Sequence, residues 1–150
     1  MKRVIKFRIY PESVHGFYFD VEIHPTVKAM RRTAQREGAD SSNFLDADGA
    51  TLGFRHYAWD DKRKTHVLRK TLGLMVFHRD RLDAEVLAHE SGHAAIRWME
   101  AMRLDLEMRK DPMADRPMQD EMANEERFCY ALGRMAAQIS DQCWKHGLQG

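Results

Sequence analysis

The sequence predicts an α+β fold, because segments with the pattern of strands come first and the two longest helical segments come last. Residues 2–10 and 16–23 alternate apolar and polar side chains, which is typical of two half-buried strands joined in a hairpin. Residues 72–78 form a continuous apolar run that indicates another strand. Helical segments at about 84–108 and 120–146, the second followed by Gly147 as a natural stop, complete the predicted order β-β-α-β-β-β-α-α.

One helix and two strands lie between the hairpin and the apolar run. Pro25 suits the first turn of a helix, and Gly38 suits its end. Residues 39–50 are polar and small, so they are predicted to form a loop. Residues 51–59 and 64–69 are predicted to be strands.

The length indicates one domain, residues 1–150, with an N-terminal half at 1–70 and a second half at 72–146. The 24 basic and 23 acidic residues leave a formal net charge of +1, which is no signature of nucleic-acid or anionic-membrane binding. No apolar run approaches a membrane span, and the alternating N-terminus is unlike a signal peptide. We therefore expect a cytoplasmic protein.

Both cysteines, Cys129 and Cys143, fall in the last predicted helix. Fourteen helical residues separate them by about 21 Å, whereas a disulfide requires Cα atoms within about 7 Å. We therefore predict two free thiols and a reducing compartment.

The HESGH motif at residues 89–93 carries the predicted chemistry. On a helix, His89 and His93 lie on one face about 6 Å apart along the axis, so that both imidazoles can bind one zinc ion. Glu90 points about 100° away from that line, towards a water on the metal rather than the metal itself. The predicted helix is apolar around most of its circumference, so we expect it to be buried, and buried histidines need partners that a metal supplies at once. The alternative is a chance match in which both histidines are core residues with ordinary hydrogen bonds.

A catalytic zinc site has three protein ligands and one open position. Two glutamates at the start of the last predicted helix, Glu125 and Glu126, are the candidates for the third ligand. Helical spacing from Glu126 gives a stripe of mostly small residues, which would allow close approach to the motif helix. The stripe from Glu125 is more apolar, so the periodicity leans slightly towards Glu125. Both glutamates could instead merely favour a helix N-terminus.

The segment DRLDAEVLAHESGHAA followed by NEERFCYALGRMAAQI resembles the small zincin-like metallopeptidases of phages and prophages. It is similar, more distantly, to the ImmA/IrrE-type peptidases. In those families a later helix offers a glutamate in an E-x-x-A-(Y/D/N) setting, which Glu126 to Tyr130 match with Cys129 in place of alanine. The resemblance covers roughly residues 72–140, and it selects Glu126 as the third zinc ligand.

The resemblance implies a single zincin-like domain with a small, mostly antiparallel sheet packed on a central HExxH helix and a long C-terminal helix. It also implies a zinc-dependent metallopeptidase that acts on a protein or peptide, in the host cytoplasm if phage-encoded. Glu90 would be the general base. Tyr130, with His78 and Tyr57 as further candidates, would donate to the oxyanion, although packing is an alternative role for Tyr130. By the same analogy the substrate groove follows residues 72–78 as an edge strand.

Two other functions compete with proteolysis. A zincin-like binding or regulatory module could hold a structural metal without cleaving anything, although such a site would not need Glu90. The basic helix after Pro25 could contact phosphate, but a solvated face is the ordinary role of its charges, on Lys28, Arg31, Arg32 and Arg36. Nucleic acid is therefore not an expected partner.

Overall fold

The computed structural model describes residues 3–13, 16–38, 47–53, 57–104 and 119–148. Its strands are β1 (Ile5–Ile9), β2 (Tyr18–His24), β3 (Gly49–Gly53), β4 (Tyr57–Asp60), β5 (Thr65–Leu68) and β6 (Thr71–His78). Its helices are α1 (Val27–Arg36), α2 (Ala84–Ala101) and α3 (Gln119–Lys145).

Four strands form the main sheet in the order β1-β2-β6-β3, and β4 and β5 form a separate hairpin. The pairs β1–β2 and β3–β6 are antiparallel, whereas β2 and β6 are parallel. The predicted α+β class with a mostly antiparallel sheet is therefore confirmed. The predicted strand at 51–59 is wrong as one element, because β3 ends at Gly53 in the main sheet and β4 belongs to the hairpin. The predicted loop at 39–50 overlaps the start of β3, and residues 39–46 lie outside the described part.

The prediction that residues 72–78 form an edge strand is also wrong. Strand β6 lies between β2 and β3, and β3 is the edge strand beside it. Its alternate side chains are buried on both faces of the sheet: Met75 and Phe77 on one, Leu74 and Val76 on the other. A continuous apolar run is what a strand covered on both faces requires.

Helices cover both faces of this sheet. Met30 and Ala34 of α1 pack on one face, against apolar side chains of β3 and β6. The other face carries the larger core, to which α2 and α3 both contribute. The Gln138 side chain fixes α3 to the end of β1 by accepting from the Tyr10 N–H at 2.9 Å and donating to its carbonyl at 2.8 Å.

The helix ends follow local chemistry. The Asp83 side chain accepts a hydrogen bond from the Val86 N–H and so caps the start of α2. Gly38 and Gly147, predicted to stop helices, have φ values of 101° and 64°, a region that favours glycine. Helix α2 ends at Ala101, earlier than predicted, and residues 105–108 lie outside the described part.

Both cysteines are free and lie on α3, as predicted, but their surroundings differ. Cys143 is in the core, and burial raises the pKa of its thiol to about 11. Cys129 is exposed. Since the thiolate is the nucleophile, we expect Ellman's reagent at pH 8 to detect one thiol in the native protein and two after denaturation. Fast reaction of both thiols in native protein would contradict the packing of α3.

Candidate metal centre

His89 and His93 face each other one turn apart on α2. Their Nε2 atoms are 3.1 Å apart, and the ring planes meet at 81°. Two nitrogens bound to one tetrahedral zinc at about 2.0–2.1 Å would lie about 3.3 Å apart. The pair therefore fits a shared ion. The same distance also allows a hydrogen bond between two neutral rings.

The two imidazoles are on the surface, not in the core. The His89 side chain is 66% exposed, and His93 is exposed as well. The expectation that these histidines need a metal because α2 buries them is therefore wrong. Apolar positions such as Ala88 and Ile96 lie on the exposed part of α2, so the apolar content of the helix overstates its burial. What remains in favour of a metal is the distance between the two nitrogens.

Glu90, in contrast, is 5% exposed and lies between α2 and β3. Its Oε2 accepts a hydrogen bond of 2.6 Å from the Thr51 hydroxyl, whose oxygen is also 3.1 Å from the Glu90 carbonyl oxygen. Its Oε1 is 3.9 Å from His89 Nε2. The carboxylate therefore has one oxygen held by the sheet and the other directed towards the histidine pair.

A cavity of about 240 Å³ opens beside this group, between the start of β3 and the first turns of α2. Its polar lining is Asp48, Arg81, Glu85, His89 and Glu90. Arg81 is already paired, with Asp48 at 2.9 Å and with Asp83 at 3.0 Å. A larger cavity of about 460 Å³ lies among β1, β2 and Glu37 and contains none of the predicted site residues.

Helix α3 runs antiparallel to α2, as two contacts show. The Arg127 guanidinium is 5.6 Å from the Trp98 ring centre, and Leu132 lies beside Gly92, 3.8 Å from where a Cβ would stand. Later residues of α3 therefore meet earlier residues of α2. Leu132 thus marks the part of α3 that lies beside Gly92, the residue before His93.

The predicted third ligand is not assembled with the histidine pair. Glu126 lies six residues before Leu132, about 9 Å along the axis and turned about 120° from it, whereas Glu125 shares the direction of Leu132 within about 20°. Both glutamates are exposed. Within the described ranges, no three His, Cys, Asp or Glu side chains are grouped to hold a metal. Glu126 therefore stays a prediction, and the geometry supports two protein ligands.

The predicted oxyanion donors stay predictions, and they differ in their surroundings. Tyr130 is 68% exposed on α3, and the side chain of Tyr57 lies outside the described part. His78 is buried, and neither ring nitrogen has a hydrogen-bond partner among the described residues. Its Nε2 is 3.7 Å from an oxygen of Asp48, which lines the cavity. His78 is thus behind the cavity wall.

Residues of β3 that contact Glu90 were not predicted from the sequence. Thr51 lies 39 positions away in the chain, and Gly49 lies opposite Phe77 in the sheet. A Cβ at Gly49 would be 3.2 Å from Glu90 Cγ, so this glycine leaves room for the carboxylate side chain. A Gly-x-Thr spacing has no chemical meaning until the strand is placed beside α2, so the sequence offered no signal for it.

Comparison with protein-family models, curated proteins and solved structures gave no significant match. In the described part of the chain, none of the helices combines the length and apolar character needed to cross a membrane.

Proposed function

We propose that this chain is a zinc-dependent peptidase, in which His89 and His93 hold the metal and Glu90 is the general base. The observation that carries the proposal is the 3.1 Å separation of the two Nε2 atoms beside a buried carboxylate. The zincin-like resemblance of residues 72–140, which includes the same HESGH motif, agrees with it. Two of three protein ligands are named, and Glu126 is the predicted third.

A bound zinc ion would supply Lewis acidity and would activate water for attack. The part of Glu90 in the chemistry is to accept a proton at Oε1, the oxygen left free by Thr51, and to pass it to the leaving amine. Because Glu90 is buried, water does not surround its carboxylate, which favours a fixed position over rotation.

Exposure of the histidine pair favours catalysis over a structural metal. A structural zinc site is closed by four protein ligands, whereas a catalytic site keeps one position open to solvent. With the His89 side chain 66% exposed, an ion on this pair would remain accessible to a substrate.

The edge strand next to α2 is β3, so the proposed substrate groove moves from residues 72–78 to residues 49–53. An extended peptide could add to the outer edge of β3 by backbone hydrogen bonds. The peptide would then pass over the cavity that His89 and Glu90 line. A protein or peptide substrate in the cytoplasm remains part of the proposal.

The proposal is tested by metal analysis of protein purified without chelators, followed by a peptidase assay on fluorescein-labelled casein. We expect about one zinc per chain. Cleavage should stop with a strong zinc chelator and return when zinc is added. Fresh protein that neither contains zinc nor takes it up would refute the proposal.

A further inference from the structure

We infer that Thr51 is a positioning residue for Glu90, fixing which carboxylate oxygen handles the proton. This inference rests on the proposed function. It goes beyond it by assigning a task to the edge strand β3, 39 positions away in the chain.

The first argument is the strength of the contact. The distance of 2.6 Å from Thr51 Oγ1 to Glu90 Oε2 lies in the range of charge-assisted O–H···O⁻ bonds, about 2.5–2.7 Å. A hydroxyl has one proton to donate. The contact to the Glu90 carbonyl oxygen is longer, 3.1 Å, so the carboxylate is the better acceptor.

The second argument is burial. A buried carboxylate is costly unless it is hydrogen-bonded, and Glu90 is 5% exposed. Thr51 supplies that bond on one oxygen only. Oε1 is left 3.9 Å from His89 Nε2, on the side where the histidine pair would hold a metal.

The third argument is the fit of the strand around the side chain. Gly49, two positions before Thr51 on the same side of β3, would bring a Cβ to within 3.2 Å of Glu90 Cγ and 3.3 Å of Val86. The absent Cβ lets α2 approach β3 closely enough for the Thr51 hydroxyl to reach the carboxylate. Gly49 therefore leaves space for the Glu90 side chain, and Thr51 donates a hydrogen bond to its carboxylate.

The test uses cobalt(II) in place of zinc, since the visible spectrum of cobalt reports its ligands and the surrounding charge. The measured quantity is the pH midpoint of the spectral change in the full-length protein. Glu90→Gln should shift this midpoint. Thr51→Val, which removes the donor at nearly the same volume, should also shift it, because Glu90 then loses the hydrogen bond that fixes its orientation beside the metal. Thr51→Ser, which keeps the donor, should restore the wild-type midpoint.

The outcomes separate the two levels of the inference. If the wild type binds no cobalt, or if Glu90→Gln leaves the midpoint unchanged, the proposed function fails and the role of Thr51 fails with it. If Glu90→Gln shifts the midpoint but Thr51→Val does not, only the role of Thr51 is overturned. A structural role alone would lower the unfolding midpoint of Thr51→Val without moving the spectrum. Thr51→Ala, which also lacks the donor, takes the place of Thr51→Val if that variant does not fold.

Discussion

Replacing His89 or His93 by alanine is expected to abolish stoichiometric zinc binding. Each imidazole supplies one of the two nitrogens that lie 3.1 Å apart, and a single exposed imidazole holds the ion weakly. We expect a loss of affinity of at least about 100-fold, larger than the loss from disturbing groups around a metal site. Zinc content after purification and competition with a chromophoric chelator measure it.

The fold should survive both substitutions. His89 and His93 are exposed, and substitutions at such positions usually change the free energy of unfolding by no more than about 0.5 kcal/mol. His146→Ala is the matched control, since it removes an exposed histidine from the end of α3. Full zinc binding by the His89→Ala/His93→Ala double variant would place the metal elsewhere in the protein.

The same titration measures the predicted third ligand. Neither Glu125 nor Glu126 reaches the histidine pair in the described structure. We therefore expect Glu125→Ala and Glu126→Ala each to weaken zinc binding less than either histidine variant. A loss at Glu126 equal to that at His93 would show that α3 closes on α2 when the metal binds.

The local part of the site could be predicted from the sequence because helical periodicity is a local property. A spacing of four places His89 and His93 on one face wherever the helix lies, and the structure confirms this. The same holds for Gly38 and Gly147, which follow α1 and α3, because a positive φ is a local requirement of the way a helix ends.

The rest depends on which elements become neighbours, and periodicity does not contain that information. Thr51 reaches Glu90 because β3 pairs with β6 at the edge of the sheet. In the sequence, the β4–β5 hairpin separates β3 from β6. The same limit applies to β6. Its apolar run predicts a strand, but it does not specify that β2 and β3 lie on either side of that strand. The role of Glu126 likewise depends on how α3 is rotated against α2, which the spacing of its residues does not specify.

The sequence of α2 has the pattern of a buried helix, although His89 and His93 are exposed. Helix α2 has apolar residues on most of its circumference, which favours a buried helix. Several of them are small or isolated, however, and Ala88 is exposed on α2 while Ile96 is 43% exposed. Small apolar residues are found where two helices pack closely as well as in a core, so they do not by themselves predict a buried helix.

Glu90→Gln is expected to keep the metal and lose hydrolysis. Glu90 Oε1 is 3.9 Å from His89 Nε2. The proposal therefore places the carboxylate beside the histidine pair and does not count it among the metal ligands. Glutamine preserves the shape, and its amide oxygen can still accept from the Thr51 hydroxyl. It cannot act as a base, and losing general acid–base catalysis typically lowers the rate by about 10²–10⁴-fold.

The measurement is the initial rate on fluorescein-labelled casein with zinc content determined on the same samples. Glu100→Gln is the matched control, because Glu100 lies on α2 with its side chain 51% exposed and is paired only loosely, at 3.4 Å, with Arg97. Exposed ion pairs of this kind contribute little to the stability of the fold, so the Glu100→Gln variant should cleave at the wild-type rate. If Glu90→Gln, fully loaded with zinc, cleaved as fast as the wild type, a base other than Glu90 would have to supply the proton transfer. The buried carboxylate beside the histidine pair would then have only a structural role, as an acceptor that ties α2 to the edge strand.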